Sequence, residues 1–185
     1  MKLSFTSLLL ALAVSTATAA DWPQFLGPDR SGISQETGLM KGWPNDGPKE
    51  MWRVKGGVGM SGIAISGGKA MTLVQKDGKQ WLLALDAKTG KKLWETPLAP
   101  EYENQMGNGP RGTPSIVGDQ VFVYTGEGIL IAASVKDGKI LWQHHPVSDF
   151  RGTPSDYGMS CSPLVVGNQV IVTPGAAGAA GVAYD

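Results

Sequence analysis

Short apolar runs separated by Gly, Asp and Asn dominate the chain, most clearly at Ser115–Val117, Val121–Tyr124, Leu130–Ala133 and Ile140–Gln143. Each run is rich in β-branched residues and too short for a helix, so together they predict four consecutive strands. Beyond the first twenty residues no segment keeps a helical period, and 26 Gly and 12 Pro among 185 residues would interrupt helices repeatedly.

The strand pattern recurs. An apolar residue followed by Trp appears at Met51-Trp52, Leu93-Trp94 and Leu141-Trp142, with 42 and 48 residues between the tryptophans. A turn before an apolar strand appears at Gly67-Gly68, Gly118-Asp119 and Gly167-Asn168, at intervals of 51 and 49. A second turn precedes Trp at Asp86-Ala87-Lys88-Thr89-Gly90 and at Ser134-Val135-Lys136-Asp137-Gly138, 48 residues apart. Four strands in about 49 residues is one blade of a β-propeller, whose closed rings typically use about 4 to 8 blades. The chain holds fewer than three such units, and Ala183-Tyr184-Asp185 aligns with Ala84-Leu85-Asp86, so the third unit is expected to lack its outer strand. The expected fold is therefore all-β, a propeller fragment broken within its third blade.

Composition and charge narrow the setting. Met1-Lys2, the apolar run Leu8–Val14 and the small residues Ala17-Thr18-Ala19 form the pattern of a secretory leader, cleaved after Ala19 or Ala20. The run is shorter than the roughly 20 residues that span a bilayer, so no membrane span is expected after cleavage. The organisation is then a leader at 1–20, an N-terminal segment at 21–50 and blades at 51–185, in an exported protein that is periplasmic or secreted. Sixteen Lys and Arg against 16 Asp and Glu leave no basic stripe for nucleic acid. Cys161 is the single cysteine and has no partner for an internal disulfide.

The repeated residues have structural roles. Gly90 and Gly138 suit left-handed turn positions, Asp86 or Thr89 can bond turn amides, and Trp52, Trp94 and Trp142 bring large aromatic area to the seams between blades. His144-His145 are neighbours on a strand and face opposite ways, which disfavours a shared metal. Asp137 and Asp149 lack the spaced oxygen donors of a calcium loop, and Gly57-Val58-Gly59 lacks the third Gly of a dinucleotide site.

The run Ala84-Leu85-Asp86-Ala87-Lys88-Thr89-Gly90-Lys91-Lys92-Leu93-Trp94 resembles the tryptophan-docking repeat of pyrroloquinoline quinone (PQQ) dehydrogenases and their non-enzymatic relatives. The segment Asp21-Trp22-Pro23-Gln24-Phe25-Leu26-Gly27-Pro28-Asp29-Arg30-Ser31-Gly32 is similar to the start of exported PQQ-like propellers of planctomycete-type bacteria. The resemblance implies a ring of seven or eight blades, of which roughly three lie here. It implies one of two activities: a binding or assembly scaffold with envelope-protein partners, like the propeller subunit of the outer-membrane β-barrel assembly machinery, or a periplasmic alcohol or sugar dehydrogenase using PQQ with calcium.

A quinone carboxylate needs a cationic fork and hydroxyl donors, and Arg111, Thr113, Tyr157 and Ser160 are the residues of that type in the segments leading to the inner strands. The competing reading is that Arg111 ties loops together while Thr113 and Ser162 bond backbone at strand starts. The chain shows neither the adjacent cysteines nor the Cys-x-x-Cys-His haem motif of the enzymatic relatives. The resemblance therefore favours the scaffold, with no oligomeric state implied.

Overall fold

A computed structural model describes residues 20–185; the expected leader lies outside these residues. Eleven strands and one short helix follow in the order β1 (Ala64–Ser66), β2 (Lys69–Lys76), β3 (Lys79–Asp86), β4 (Lys92–Pro100), β5 (Ser115–Val117), β6 (Gln120–Tyr124), β7 (Leu130–Ser134), β8 (Ile140–His144), α1 (Pro146–Asp149), β9 (Leu164–Val166), β10 (Gln169–Val172) and β11 (Val182–Tyr184). They form three antiparallel sheets in sequence order, β1-β2-β3-β4, β5-β6-β7-β8 and β9-β10-β11. The third sheet has three strands. The strands expected between Ser115 and Gln143 agree with β5–β8 to within one residue at each end.

Sequence alternation sets the sheet faces. On β2 and β3, Met71, Leu73, Leu82 and Ala84 point to one side and pack against Ile116, Val121, Val123, Ile131 and Ala133 of the second sheet. The opposite face of that second sheet, Phe122, Tyr124, Leu130 and Ala132, packs on Val170 and Val172 of the third. Successive sheets thus stack face to face. β1 approaches β5, and β5 approaches β9, so the first strands of the blades gather on one side and line the axis. This is propeller architecture.

The turns follow from their glycines. Gly90 and Gly138 have φ of 71° and 74°, a region open to glycine at little cost. Asp86 accepts hydrogen bonds from the Thr89 amide (2.8 Å) and hydroxyl (2.6 Å), and the Thr89 bonds, side chain first, hold the carboxyl below its usual range. In the second turn the acid and the hydroxyl exchange places. Ser134 stands where Asp86 does, Asp137 stands where Thr89 does, and the Ser134 hydroxyl together with the Lys139 amide holds Asp137 low.

Each turn receives a tryptophan from the preceding repeat. Trp52 Nε1 donates to Ala87 O at 3.1 Å, and Trp94 Nε1 donates to Val135 O at 3.2 Å. Trp142 packs on Phe122 and His144, with ring centroids 5.8 and 5.3 Å away. Trp52 belongs to no strand, and the first strand begins only at Ala64.

Among the described residues the helical turn α1 is the one departure from an all-strand pattern. Pro146 stands at its start, where a missing N–H costs nothing, and the Ser148 hydroxyl returns to His145 O at 3.0 Å. Among the described residues no helix is long and apolar enough to cross a membrane.

Candidate functional site

The connections β4–β5 and β8–β9 gather at one end of the sheets and bring the candidate residues into one region. Arg111 is 7 % exposed. Its Nη1 donates to Gly109 O and its Nη2 to Gly107 O, both within its own loop. The guanidinium carbon lies 4.9 Å from the centroid of the Tyr102 ring, a distance at which the ring quadrupole attracts the cation. Nε is buried without a partner.

Tyr102 is the hub. Its amide donates to Gln75 Oε1 at 2.7 Å, and its hydroxyl accepts from Asn104 Nδ2 at 3.1 Å. Gly126 and Gly158 press on the ring so closely that a Cβ on either would lie 2.6 Å from a ring or hydroxyl atom. Asn104 also donates to Asp156 O at 3.0 Å, which binds the β8–β9 connection to the β4–β5 connection. Fully buried Gln80 donates to Pro100 O (3.0 Å) and to Glu127 Oε2 (2.6 Å), and accepts from the Gly126 amide at 3.2 Å. Every polar atom of the Gln80 side chain is therefore occupied.

Thr113 is buried against Gly62, and its amide donates to Ser162 Oγ at 2.9 Å. Ser61 Oγ donates to Gly112 O at 2.8 Å, and Ser115 Oγ donates to Pro163 O. These hydroxyls join the inner segment of one blade to the backbone of the next. Tyr157 is 58 % exposed, and Ser160 is exposed with its hydroxyl donating to Gly158 O at 3.3 Å. Arg111 and Thr113 therefore lie inside a seam, whereas Tyr157 and Ser160 are exposed on either side of Gly158.

Trp52 and Trp94 are at the seams, and Gly90, Gly138 and Asp86 in the turns. His144 stacks on Tyr184 with centroids 4.2 Å apart, while His145 precedes α1, so the two histidines serve different contacts. No group of three or more His, Cys, Asp or Glu gathers as a metal set among the described residues. A cavity of about 350 Å³ between the second and third sheets is lined by Phe122, Trp142, Val170 and Asp185, away from Arg111. Tyr102, Gln75 and Gln80 escape sequence reasoning: nothing marks a lone Tyr after β4, or two Gln within apolar strands, as junction residues.

Three sheets of repeated strands, with the tryptophan of the preceding repeat docked on the turn of the first and of the second, define a tryptophan-docked β-propeller. The profile of the family described as outer membrane protein assembly factor BamB matches residues 44–185, and the chain belongs to this PQQ-like propeller family. Quinohemoprotein alcohol dehydrogenase from Comamonas testosteroni shares the fold at 19 % identity and a TM-score of 0.57, over 83 % of this chain and 23 % of that one. BamB from Moraxella catarrhalis matches at 27 % identity and a TM-score of 0.43, over 63 % of this chain and 30 % of that one. A europium-containing methanol dehydrogenase matches at 28 % identity and a TM-score of 0.38, over 52 % of this chain and 16 % of that one. The chain spans less than a third of the length of each. No curated protein matches it.

Proposed function

We propose that this chain belongs to an exported propeller acting as a binding or assembly scaffold in the cell envelope. The observation that carries the reading is the state of Arg111. Arg111 is buried and turned into its own loop, Nη1 donating to Gly109 O and Nη2 to Gly107 O while the guanidinium lies on the Tyr102 ring, a placement that ties the loop together. Tyr157 is exposed and the Ser160 hydroxyl donates to Gly158 O, so neither shares a hydrogen bond with Arg111 or Thr113. The polar groups of this region join blades to one another. The assembly-factor description of the matched family points the same way.

The dehydrogenase reading makes the opposite prediction for one measurement. Titrating the full-length protein with PQQ and calcium is expected to leave its tryptophan emission unchanged; stoichiometric quenching with dye reduction on alcohols or sugars would overturn the scaffold reading. Cross-linking in intact cells should join the protein to an envelope partner, and recovery of the protein alone would also count against a scaffold.

A further inference from the structure

The N-terminal segment Asp21–Arg30 is not part of any blade, yet it touches the first strand of all three. Trp22 exchanges two backbone hydrogen bonds with Ile65 of β1, each 2.8 Å. The Ile116 amide of β5 donates to Pro23 O at 2.8 Å, and Arg30 Nη2 donates to Val165 O of β9 at 2.6 Å. Ile65, Ile116 and Val165 are repeat equivalents, each two residues before the turn glycine Gly67, Gly118 or Gly167. Each is the central residue of a three-residue strand, paired in register with Ala70, Val121 or Val170 on its other side. Their engaged backbone groups therefore point away from the sheet, toward the axis.

The segment is shaped for these contacts. A residue before proline is pushed into extended conformation, which holds Trp22 as a strand. Pro23 has no N–H, so its one backbone polar group is the carbonyl that Ile116 uses. The chain then hooks back on itself: Gly27 N donates to Gln24 O (3.0 Å), Arg30 N to Gly27 O (3.2 Å) and Gly32 N to Leu26 O (3.0 Å). Gly27 has a φ of 79° and lies on the Trp22 ring, where a Cβ would come within 2.7 Å. The hook turns Arg30 toward the third sheet. At the other end Asp21 accepts from Ser66 Oγ (2.8 Å) and from the Gly67 amide (3.2 Å).

A strand edge with free N–H and C=O groups is a template for any extended chain. We propose that the axial edge of β1, β5 and β9 is a peptide-binding edge of this propeller, and that Asp21–Arg30 is its resident ligand, closing it to other extended peptides. Recognition is by backbone at Ile65, Ile116 and Val165, with register set by Asp21 on the first turn and Arg30 on the third blade.

The test uses the full chain. In the double variant Asp21→Ala, Arg30→Ala, the amides of Ile65 and Ile116 should exchange with solvent about tenfold faster, while the core amides of Leu82 and Val123 keep their rates. Unchanged exchange at Ile65 and Ile116 would overturn the proposal. A second arm inserts a protease site between Gly38 and Leu39, both exposed, and cuts the folded protein there. The released Asp21–Gly38 piece should co-elute with the body, or, once washed off, a fluorescent peptide of residues 21–32 should bind and restore protection at Ile65 and Ile116. Loss of the piece with no binding of the labelled peptide, by a body whose Leu82 and Val123 amides remain protected, refutes the assignment.

Discussion

Replacing Gly138 by Ala tests whether the tryptophan dock holds blades together. Gly138 has a φ of 74°, and an added Cβ would lie 2.5 Å from Cε3 of Trp94. The left-handed backbone alone costs an L-residue about 1 kcal/mol. To admit the methyl group both the indole and the Thr96 hydroxyl, which the added Cβ also meets, must move away, breaking the Trp94 Nε1 bond to Val135 O and the Thr96 Oγ1 bond to Gly138 O. Each broken bond costs about 1 kcal/mol. Re-exposing roughly 40 Å² of ring adds about 1 kcal/mol, for a total of about 4 kcal/mol.

Gly118→Ala is the control, since Gly118 has a φ of 59° but nothing within 4 Å of an added Cβ. It should cost the backbone strain alone, about 1 kcal/mol. Thermal unfolding followed by near-ultraviolet circular dichroism should show the midpoint falling by about 8–16 °C for Gly138→Ala and about 2–4 °C for Gly118→Ala. Equal shifts would refute the dock as an energetic link between blades.

Arg111→Lys should lower the urea midpoint by an amount equal to about 2 kcal/mol, because an ammonium cannot reproduce the fork onto the Gly107 and Gly109 carbonyls. Gln80→Leu should cost a similar amount, about 2 kcal/mol, by leaving the buried Gly126 amide without its acceptor; a neutral result would mean that the junction relaxes freely. Tyr124 is held protonated by burial, with Cys161 and Tyr184 adding to the effect. Its contribution is therefore complete below the ordinary tyrosine value near 10 and is lost as pH rises above it, so alkaline unfolding monitored by tyrosinate absorbance should shift to higher pH in Tyr124→Phe. Asp86 and Asp137 are held low by their turn hydrogen bonds, so their contribution is present above the ordinary value of 3.8 and fades as pH falls through the lower native one; the double Asn variant should show a flatter acid limb in pH-dependent urea unfolding.

Much of the fold is legible because the repeat is local. Strand alternation, the Gly-Asp and Gly-Asn turns and the Trp positions each use a few neighbouring residues, and each reappears about 49 residues later. The exchange of acid and hydroxyl between Asp86–Thr89 and Ser134–Asp137 is likewise readable once the two turns are aligned, because either order places a carboxylate opposite a hydroxyl. The junction around Tyr102 is less legible. Its partners Gln75, Arg111, Gly126 and Gly158 come from four separate segments, and glycine as a flat support for a ring has no local signature. The contact of Arg30 with Val165 spans 135 residues, and its local sequence reads only as a turn rich in Gly and Pro. Helix α1 was hidden by its length, a single turn begun by proline.

The Trp94 dock acts near the rim, on the turn between β7 and β8, while Trp22 and Pro23 bridge β1 and β5 at the axis. Two fasteners at different radii fix an angle. With the outer one alone, a blade could hinge about its neighbour and the wedge could open or close; with both, the step from the first blade to the second has a set curvature. That curvature governs how many wedges complete a circle, so the geometry of one seam carries the arithmetic of the whole ring.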